Sequence, residues 1–330
     1  MERVRISDIA EELGLSTATV SNVIHGKTGK VSPETVRRVQ ETLEKRRYIP
    51  SMAGILLAQN DSRIIGVVMN DHEKYQGHLL EDPFIAASLN ALAAEIDRCG
   101  LFMMVKATRD TADIIRFASM WNLEGMVLIG FCQEDYQLLR DQMHIPFVVY
   151  DGYLEDPRGI CNLTLDNFDG GFQVGQYFRN LGYRKALCIA DNNICMDRER
   201  WEGFSAGFGA ADFWQIPMER EERQRFYEEH LEALEQYTAV FAVSDYYAVD
   251  LMQFLQSQGI TVPGQVSVAG FDDTPICRQV VPALTSVRQD SALRAQLALE
   301  KLEAMKAGEE SGSTLRLPVT LIKRDSTRPL

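Results

Sequence analysis

Val4-Arg5-Ile6-Ser7-Asp8-Ile9-Ala10-Glu11-Glu12-Leu13-Gly14-Leu15-Ser16-Thr17-Ala18-Thr19-Val20-Ser21-Asn22-Val23-Ile24 decides the reading of this chain: two short helices around a tight turn. Ser7 is placed to cap the first helix, and Asp8 suits its positive N-terminal end. Ile9, Ala10 and Leu13 recur on one face at helical spacing. Gly14 takes the turn, where a residue without a Cβ adopts positive φ. Ser16 caps the second helix, whose inner side is Val20, Val23 and Ile24. Its outer face is Thr17, Ala18, Ser21 and Asn22. Small polar side chains let a helix sit deep in a DNA major groove and touch base edges. Ser32-Pro33-Glu34 opens a third helix with a cap, a first-turn proline and an acid; Val36, Val39 and Leu43 give it an apolar stripe. The plainer alternative is three helices packed as a small bundle inside a larger protein.

Further along, Ser51-Met52-Ala53-Gly54-Ile55-Leu56-Leu57-Ala58-Gln59-Asn60 is short and apolar. A helix of that length is marginal alone, but it could form against its twin on DNA. From Ile64 onward apolar, β-rich runs alternate with helical stretches. The pattern predicts strands at 64–69, 101–105, 126–129, 147–150, 161–165, 186–190, 239–243 and 266–271. It predicts helices at 83–99, 112–120, 136–143, 170–181, 200–207, 221–236, 249–258 and 292–307. Continuous apolar strands between helices imply parallel sheets covered on both faces. So long a stretch exceeds one ordinary sheet, and two doubly wound α/β lobes with a cleft between them are expected.

At 330 residues, with 45% hydrophobic and 25% charged content, the chain is a multidomain globular protein. No apolar run suits a membrane helix and no apolar signal segment opens the chain, so a cytoplasmic protein is expected. Six cysteines without a CxxC pair suggest buried, reduced thiols. Net charge is −13, unevenly divided. Residues 1–60 hold nine Lys/Arg against seven Asp/Glu, net +2; the rest holds 25 against 40, net −15. An acidic body repels phosphate, which confines DNA contact to the head. Arg3, Arg5, His25, Lys27 and Lys30 are its phosphate partners, a thin set that calls for two heads held by a dimer. Arg5, Ser7, Ser16, Thr17, Ala18, Thr19, Ser21, Asn22, His25 and Lys30 make the head's candidate DNA-contacting set.

Ligands of open α/β sheets sit at the carboxyl ends of strands. Asn70, Asp71, Phe131, Asp151, Asp166, Ser244, Asp245 and Asp272 fall at such ends. Carboxylates there accept hydrogen bonds from paired hydroxyls, and Arg200 can donate two, which suits a sugar or another polyol. Phe84 and Phe131 flank strand ends and offer a face for stacking, though a core role serves them equally. Asp245 and Asp273 sit where helices begin, so capping and ligand binding remain open for both. Dinucleotide, P-loop, HExxH and GxSxG motifs are all missing, and no histidines pair at metal-ligand spacing. A catalytic role, a cofactor and a metal are therefore not expected.

Asp8-Ile9-Ala10, Gly14-Leu15-Ser16, Thr19-Val20-Ser21, Val31-Ser32, Thr35 and Tyr48-Ile49-Pro50 closely resemble the head of the lactose-repressor (LacI) family of bacterial transcription regulators. The resemblance continues through Asp82-Pro83-Phe84, Arg198-x-Arg200-x-x-Gly203-Phe204, Val266–Asp273, Leu284–Gln289 and the closing stretch Leu317–Thr327. It implies a helix-turn-helix head at 1–50, a hinge helix at 51–61 and a periplasmic-binding-protein-like body at 62–330. It places lobe 1 at about 62–163 plus 290–320, and lobe 2 at about 164–289 plus 321–330. It also implies a homodimer, a pseudo-palindromic double-stranded DNA operator, and a small effector between the lobes that changes operator affinity. Leu57 would be the minor-groove wedge, or else simply packing between hinge helices.

Some positions depart from the family pattern. Asn22 stands where many relatives carry arginine, and asparagine favours adenine. Gly54 weakens the hinge helix by roughly 1 kcal/mol. The stretch Asn70–Glu81 is longer than the usual first-strand loop. With no leucine heptads after Leu330, a dimer is expected rather than a tetramer. The sequence supports a repressor of carbohydrate-utilisation genes; a regulator answering a nucleobase or a protein co-regulator is the alternative. A sugar transporter and a sugar-modifying enzyme fit worse.

Overall fold

The computed structural model describes residues 4–49, 62–154, 158–309 and 311–330. The chain forms two units, 1–62 and 63–330. The hinge helix, Gly54, the Leu57 wedge and Arg3 lie outside the described residues.

Three helices make the first unit: Ile6–Leu13, Thr17–Ile24 and Pro33–Lys45. Ile9, Ala10, Val20, Val23 and Val39 form its core, with Leu13, Ile24, Val36, Leu43 and Tyr48 packed around them. Gly14 ends the first helix at φ 65°, and the Leu15 N–H donates to the Ala10 carbonyl. Ser16 caps the second helix by accepting from the Thr19 N–H at 3.1 Å. Ser32 caps the third in the same way, at 3.2 Å from the Thr35 N–H. Ser7 is not a cap: the first helix begins one residue before it, with Arg5 at the cap position. The Asp8 carboxylate instead reaches back to the Arg5 N–H at 2.8 Å. That bond holds the Asp8 carboxyl below its usual value.

The second unit contains twelve strands among the described residues: β1 Ile64–Met69, β2 Phe102–Ala107, β3 Gly125–Ile129, β4 Phe147–Tyr150, β5 Cys161–Leu165, β6 Ala186–Ala190, β7 Asp212–Gln215, β8 Ala239–Ala242, β9 Ser267–Asp272, β10 Thr285–Arg288, β11 Ser313–Leu317 and β12 Thr320–Ile322. One sheet runs β11-β5-β4-β3-β1-β2 and the other β12-β10-β9-β8-β6-β7. All pairings are parallel except β10 with β12. The chain passes between the sheets after β5, after β10 and after β11, so each lobe is built from separated segments. β1, β3, β4, β5, β6, β8 and β9 are buried at every position, which explains their uninterrupted apolar runs.

β7, β10, β11 and β12 are strands that the hydrophobic pattern does not announce. β7, β11 and β12 lie at sheet edges, where exposed and covered positions mix. The helix expected over 221–236 breaks at His230 into Arg220–Glu229 and Leu231–Leu234. Of the six free cysteines only Cys161, Cys188 and Cys277 are buried; Cys99, Cys132 and Cys195 are exposed, against the sequence expectation.

Helices Asn167–Asn180 and Cys195–Phe208 pack backbone to backbone in the second lobe. A Cβ on Gly171 would overlap the Arg200 carbonyl, and one on Gly203 would overlap the Phe168 carbonyl. Gly175 and Gly207 make the same close approach to Phe204 and Phe172. These glycines therefore fix the helix that carries Arg200.

Candidate functional site

In the head, Ser16, Thr17, Ala18 and Asn22 are exposed, while Thr19, Ser21 and His25 are half-buried. The Ser16 and Thr19 hydroxyls lie 2.9 Å apart, so both are engaged in capping. Thr17, Ala18 and Asn22 are left as an open face of small and amide side chains. Arg5, Ser7 and Lys30 are exposed as well. Arg46 and Lys45 approach Glu12 at 2.6 and 3.8 Å, whereas Lys27 and Lys30 pair with no acid among the described residues. The cations nearest the second helix thus remain available to phosphate.

In the second unit a cavity of about 510 Å³ opens between the two sheets, at their strand ends. Asn70, Phe84, Asp151, Arg200, Ser244, Asp245 and Asp272 lie on its wall. Asp71, Phe131 and Asp166 do not. Asp71 offers its carbonyl to Arg109. Phe131 turns into the apolar core of the first lobe, its N–H donating to the Tyr136 hydroxyl at 3.0 Å. Asp166 caps helix Asn167–Asn180, accepting from the Asp169 N–H at 3.1 Å.

Arg200 is buried among fixed partners. Its Nε donates to Asn167 Oδ1 at 2.9 Å, its Nη1 to the Val243 carbonyl at 2.7 Å, and its guanidinium stacks 3.7 Å from the Phe271 ring centre. Its Nη2 faces Asp272 at 4.0 Å. Asp272 accepts from Gln289 Nε2 at 2.8 Å, and Arg294 Nη1 donates to Gln289 Oε1 at 3.2 Å. Arg294 also holds Asp151 at 2.8 Å and lies 4.0 Å over the Tyr150 ring. One polar chain therefore runs under the cavity from Tyr150 and Asp151 in the first lobe to Asp272 and Arg200 in the second.

Asp151 and Asp272 take φ of 54° and 113°, backbone that L residues rarely adopt. Strain of this kind collects at ligand-binding sites. Burial pushes the Asp272 carboxyl well above its usual value, with Arg200 opposing and Asp245, Asp82 and Asp151 adding to the rise. Asp245 is neither cap nor free ligand. The cap of its helix is Ser244, and the Asp245 carboxylate is consumed by the Thr274 N–H and hydroxyl at 2.8 and 2.9 Å and by Ser286. Burial raises Asp245 to about 6 even so. Asp273 is not a cap either: its carboxylate, buried away from the cavity, pairs with Arg288 and Arg324.

Sequence reasoning missed much of the remaining wall. Asp191 directly follows β6, so the strand-end rule that selects Asp151 also points to it. Asp197 lies one helical turn before Arg200 and also lines the cavity. Asn192 Nδ2 donates to Asp191 Oδ1 at 2.7 Å and to Asp197 Oδ2 at 2.8 Å. Burial, with the Asp191 charge adding and Arg200 opposing, pushes Asp197 up to about 7. Lys74 and Tyr75 come from the long 70–81 loop. Burial disfavours the Lys74 charge, but Tyr75, Asp191, Asp82 and Asp197 more than offset that and raise its pKa. Gln76 Nε2 in the same loop donates to Glu219 Oε1 across the mouth at 2.8 Å. The Tyr150 hydroxyl and Asn70 Oδ1, both on the wall, are buried without any hydrogen-bond partner.

A three-helix head with an open second helix, joined in one chain to a two-lobed body with a polar inter-lobe cavity, defines a ligand-sensing DNA-binding regulator. Residues 5–51 match the family described as bacterial regulatory proteins, lacI family, and residues 176–327 match the periplasmic binding protein-like domain. The HTH-type transcriptional repressor PurR of Mannheimia succiniciproducens is 25% identical, over 98% of this chain and 99% of its own length. The HTH-type transcriptional regulator KdgR of Bacillus subtilis is 24% identical, over 97% of each. Among solved structures, a lac repressor dimer bound to operator and the anti-inducer ONPF superposes with a TM-score of 0.83, at 21% identity, covering 99% of this chain and 100% of that one. A complex of the transcriptional regulator CelR with cellobiose superposes at 0.69, with 23% identity, over 98% and 100%. The chain joins a LacI-family helix-turn-helix domain to a periplasmic-binding-protein-like effector domain, the build of a DNA-binding transcriptional repressor rather than of an enzyme. Among the described residues no helix is long and apolar enough to cross a membrane.

Proposed function

We propose that this chain represses carbohydrate-utilisation genes in the cytoplasm, with a sugar-like effector in the inter-lobe cavity setting its affinity for a pseudo-palindromic operator. The observation that carries the effector class is the pair of buried, unpartnered polar atoms on the cavity wall, Tyr150 OH and Asn70 Oδ1. A buried polar group without a partner costs free energy that a ligand hydroxyl recovers. Asp272 and Arg200 stand at the same wall as acceptor and donor for further hydroxyls. CelR, which shares the fold, is seen with cellobiose, which agrees with this class.

Two heads on one operator require a homodimer, and the lac repressor of similar fold is a dimer on its operator. A shallow groove along helix Pro83–Arg98, lined by Ala87, Ala91 and Ala94 with Ile276 and Ala292, offers a surface for that pairing. Recognition rests on Thr17, Ala18, Ser21 and Asn22 at the bases, and on Arg5, Ser7, Ser16, Thr19, His25 and Lys30 around the phosphates. Leu57, outside the described residues, is assigned to the minor groove. Phe84 and Tyr75 on the cavity wall would stack a planar ring equally well, which keeps a nucleobase effector as the second reading.

A thermal-shift screen of the full chain against sugars, polyols and nucleobases tests the effector class. A saturable rise in melting temperature with one sugar class is expected. A rise with nucleobases alone moves the assignment to the second reading, and no rise with any of them contradicts a small-molecule effector of either class.

A further inference from the structure

Carboxylates outnumber the cations that face them around the cavity. Asp151 is paired with Arg294, and Asp245 is consumed by Thr274 and Ser286. Among the rim residues, Arg220 is turned to Asp250 at 3.4 Å, and Glu81 to His78 at 3.0 Å. Asp82 caps helix Pro83–Arg98 through the Phe84 and Ile85 N–H groups, which leaves Asp191, Asp197 and Asp272 on the wall against the cations Lys74 and Arg200. One negative charge is thus left over at the cavity wall. Asn192 holds the Asp191 and Asp197 carboxylates together on one amide nitrogen. An uncompensated buried charge is costly, so such a pair takes up either a proton or a cation.

We propose that the effector carries a protonated amine as well as hydroxyl groups, and that Asp191 and Asp197 receive the ammonium. This deepens the effector reading above and rests on it. The amine takes the place of the proton that burial and the neighbouring Asp191 charge favour on Asp197. Tyr150 OH, on a residue only 3% exposed, and Asn70 Oδ1 are unpartnered on the same cavity wall and take the hydroxyls. A phosphorylated or carboxylated sugar adds like charge to the surplus and is rejected. The compound class is therefore an amino sugar or amino polyol.

Calorimetric titration of the full chain at pH 7 with matched sugars tests this: glucosamine, glucose and glucose 6-phosphate, and the corresponding galactose and mannose sets. The expected result is that one amine binds at least about tenfold more tightly than its neutral counterpart, while no phosphate binds. Asp197→Asn and Asp191→Asn, each checked for cooperative unfolding, should abolish the preference while weaker binding persists. A neutral member binding as tightly as its amine, or a phosphate binding at all, overturns the inference and leaves the sugar effector standing. A preference that survives both substitutions removes Asp191 and Asp197 from the role. No binding by any set contradicts the effector reading and the amine inference together.

Discussion

The head and the body solve the same problem, placing polar side chains, by opposite means. The head uses neighbours: Ser16 caps through Thr19, Ser32 through Thr35, and Gly14 turns the chain between two helices. The body uses distance: its cavity gathers Asn70, Asp151, Asp197 and Asp272 from four separate strand or helix ends. Charge divides in the same way, net +2 in residues 1–60 and −15 in the rest. The short-range unit is suited to phosphate and bases, and the long-range unit to a ligand that bridges lobes. A substitution in the head should therefore act locally, whereas one in the body should act through packing far from the residue changed.

The strongest way to break this contrast is Gly203→Val. The new side chain collides with the Phe168 carbonyl, and no flexible group can yield. A loss of more than about 4 kcal/mol is expected, enough to leave the body unfolded in a denaturant titration. A stable Gly203→Val chain would show that the two helices are not held backbone to backbone.

Arg200→Ala comes next. It removes a donor facing the cavity and also the anchor to Asn167 and Val243. Ligand-induced shifts should vanish while operator affinity stays within about twofold; Arg200→Lys separates charge from anchoring, because lysine lacks the planar fork. A fully responsive Arg200→Ala would remove the residue from the effector site.

Asn22→Ala sharpens the head side. Loss of the amide should cost about 1–3 kcal/mol on one adenine-containing site, measured by fluorescence anisotropy, with little effect on random DNA. An equal loss on both duplexes would make Asn22 a phosphate contact.

The smallest effect concerns Asp197. Its folded pKa is raised, so the folded state holds a proton that the unfolded state releases between the usual carboxylate value and about 7. Stability therefore falls as pH rises through that window and is flat above it. Asp197→Asn removes the penalty. Its melting temperature should exceed that of the unaltered chain by a few degrees at pH 8, and the two should converge near pH 4; no difference at pH 8 would mean that the carboxylate is well compensated.

The same contrast explains how much the sequence discloses. Ser16, Gly14 and Ser32-Pro33 act within a few residues, so the head is readable almost position by position, with Ser7 the exception because the helix starts one residue earlier. The fully buried strands are legible as apolar runs: 64–69, 147–150, 161–165 and 186–190 fall on β1, β4, β5 and β6. β7 is hidden because an edge strand mixes exposed and covered positions. In the cavity the strand-end rule names the correct end of the sheet but not the direction of each side chain. Phe131 and Asp166 meet the rule and turn to core and cap, whereas Asp191 meets it and faces the cavity. Lys74 reaches the wall from a loop whose path no local periodicity encodes.

The central claim is that the body's cavity and the head's open helix are energetically coupled, which requires the effector to bind DNA-bound and free protein unequally. The most direct measurement is the dissociation constant of the full chain on a duplex selected from a random pool, with and without the saturating sugar found in the thermal-shift screen. The account predicts a pseudo-palindromic duplex and at least about a tenfold change in that constant. An unchanged constant at saturation would contradict it.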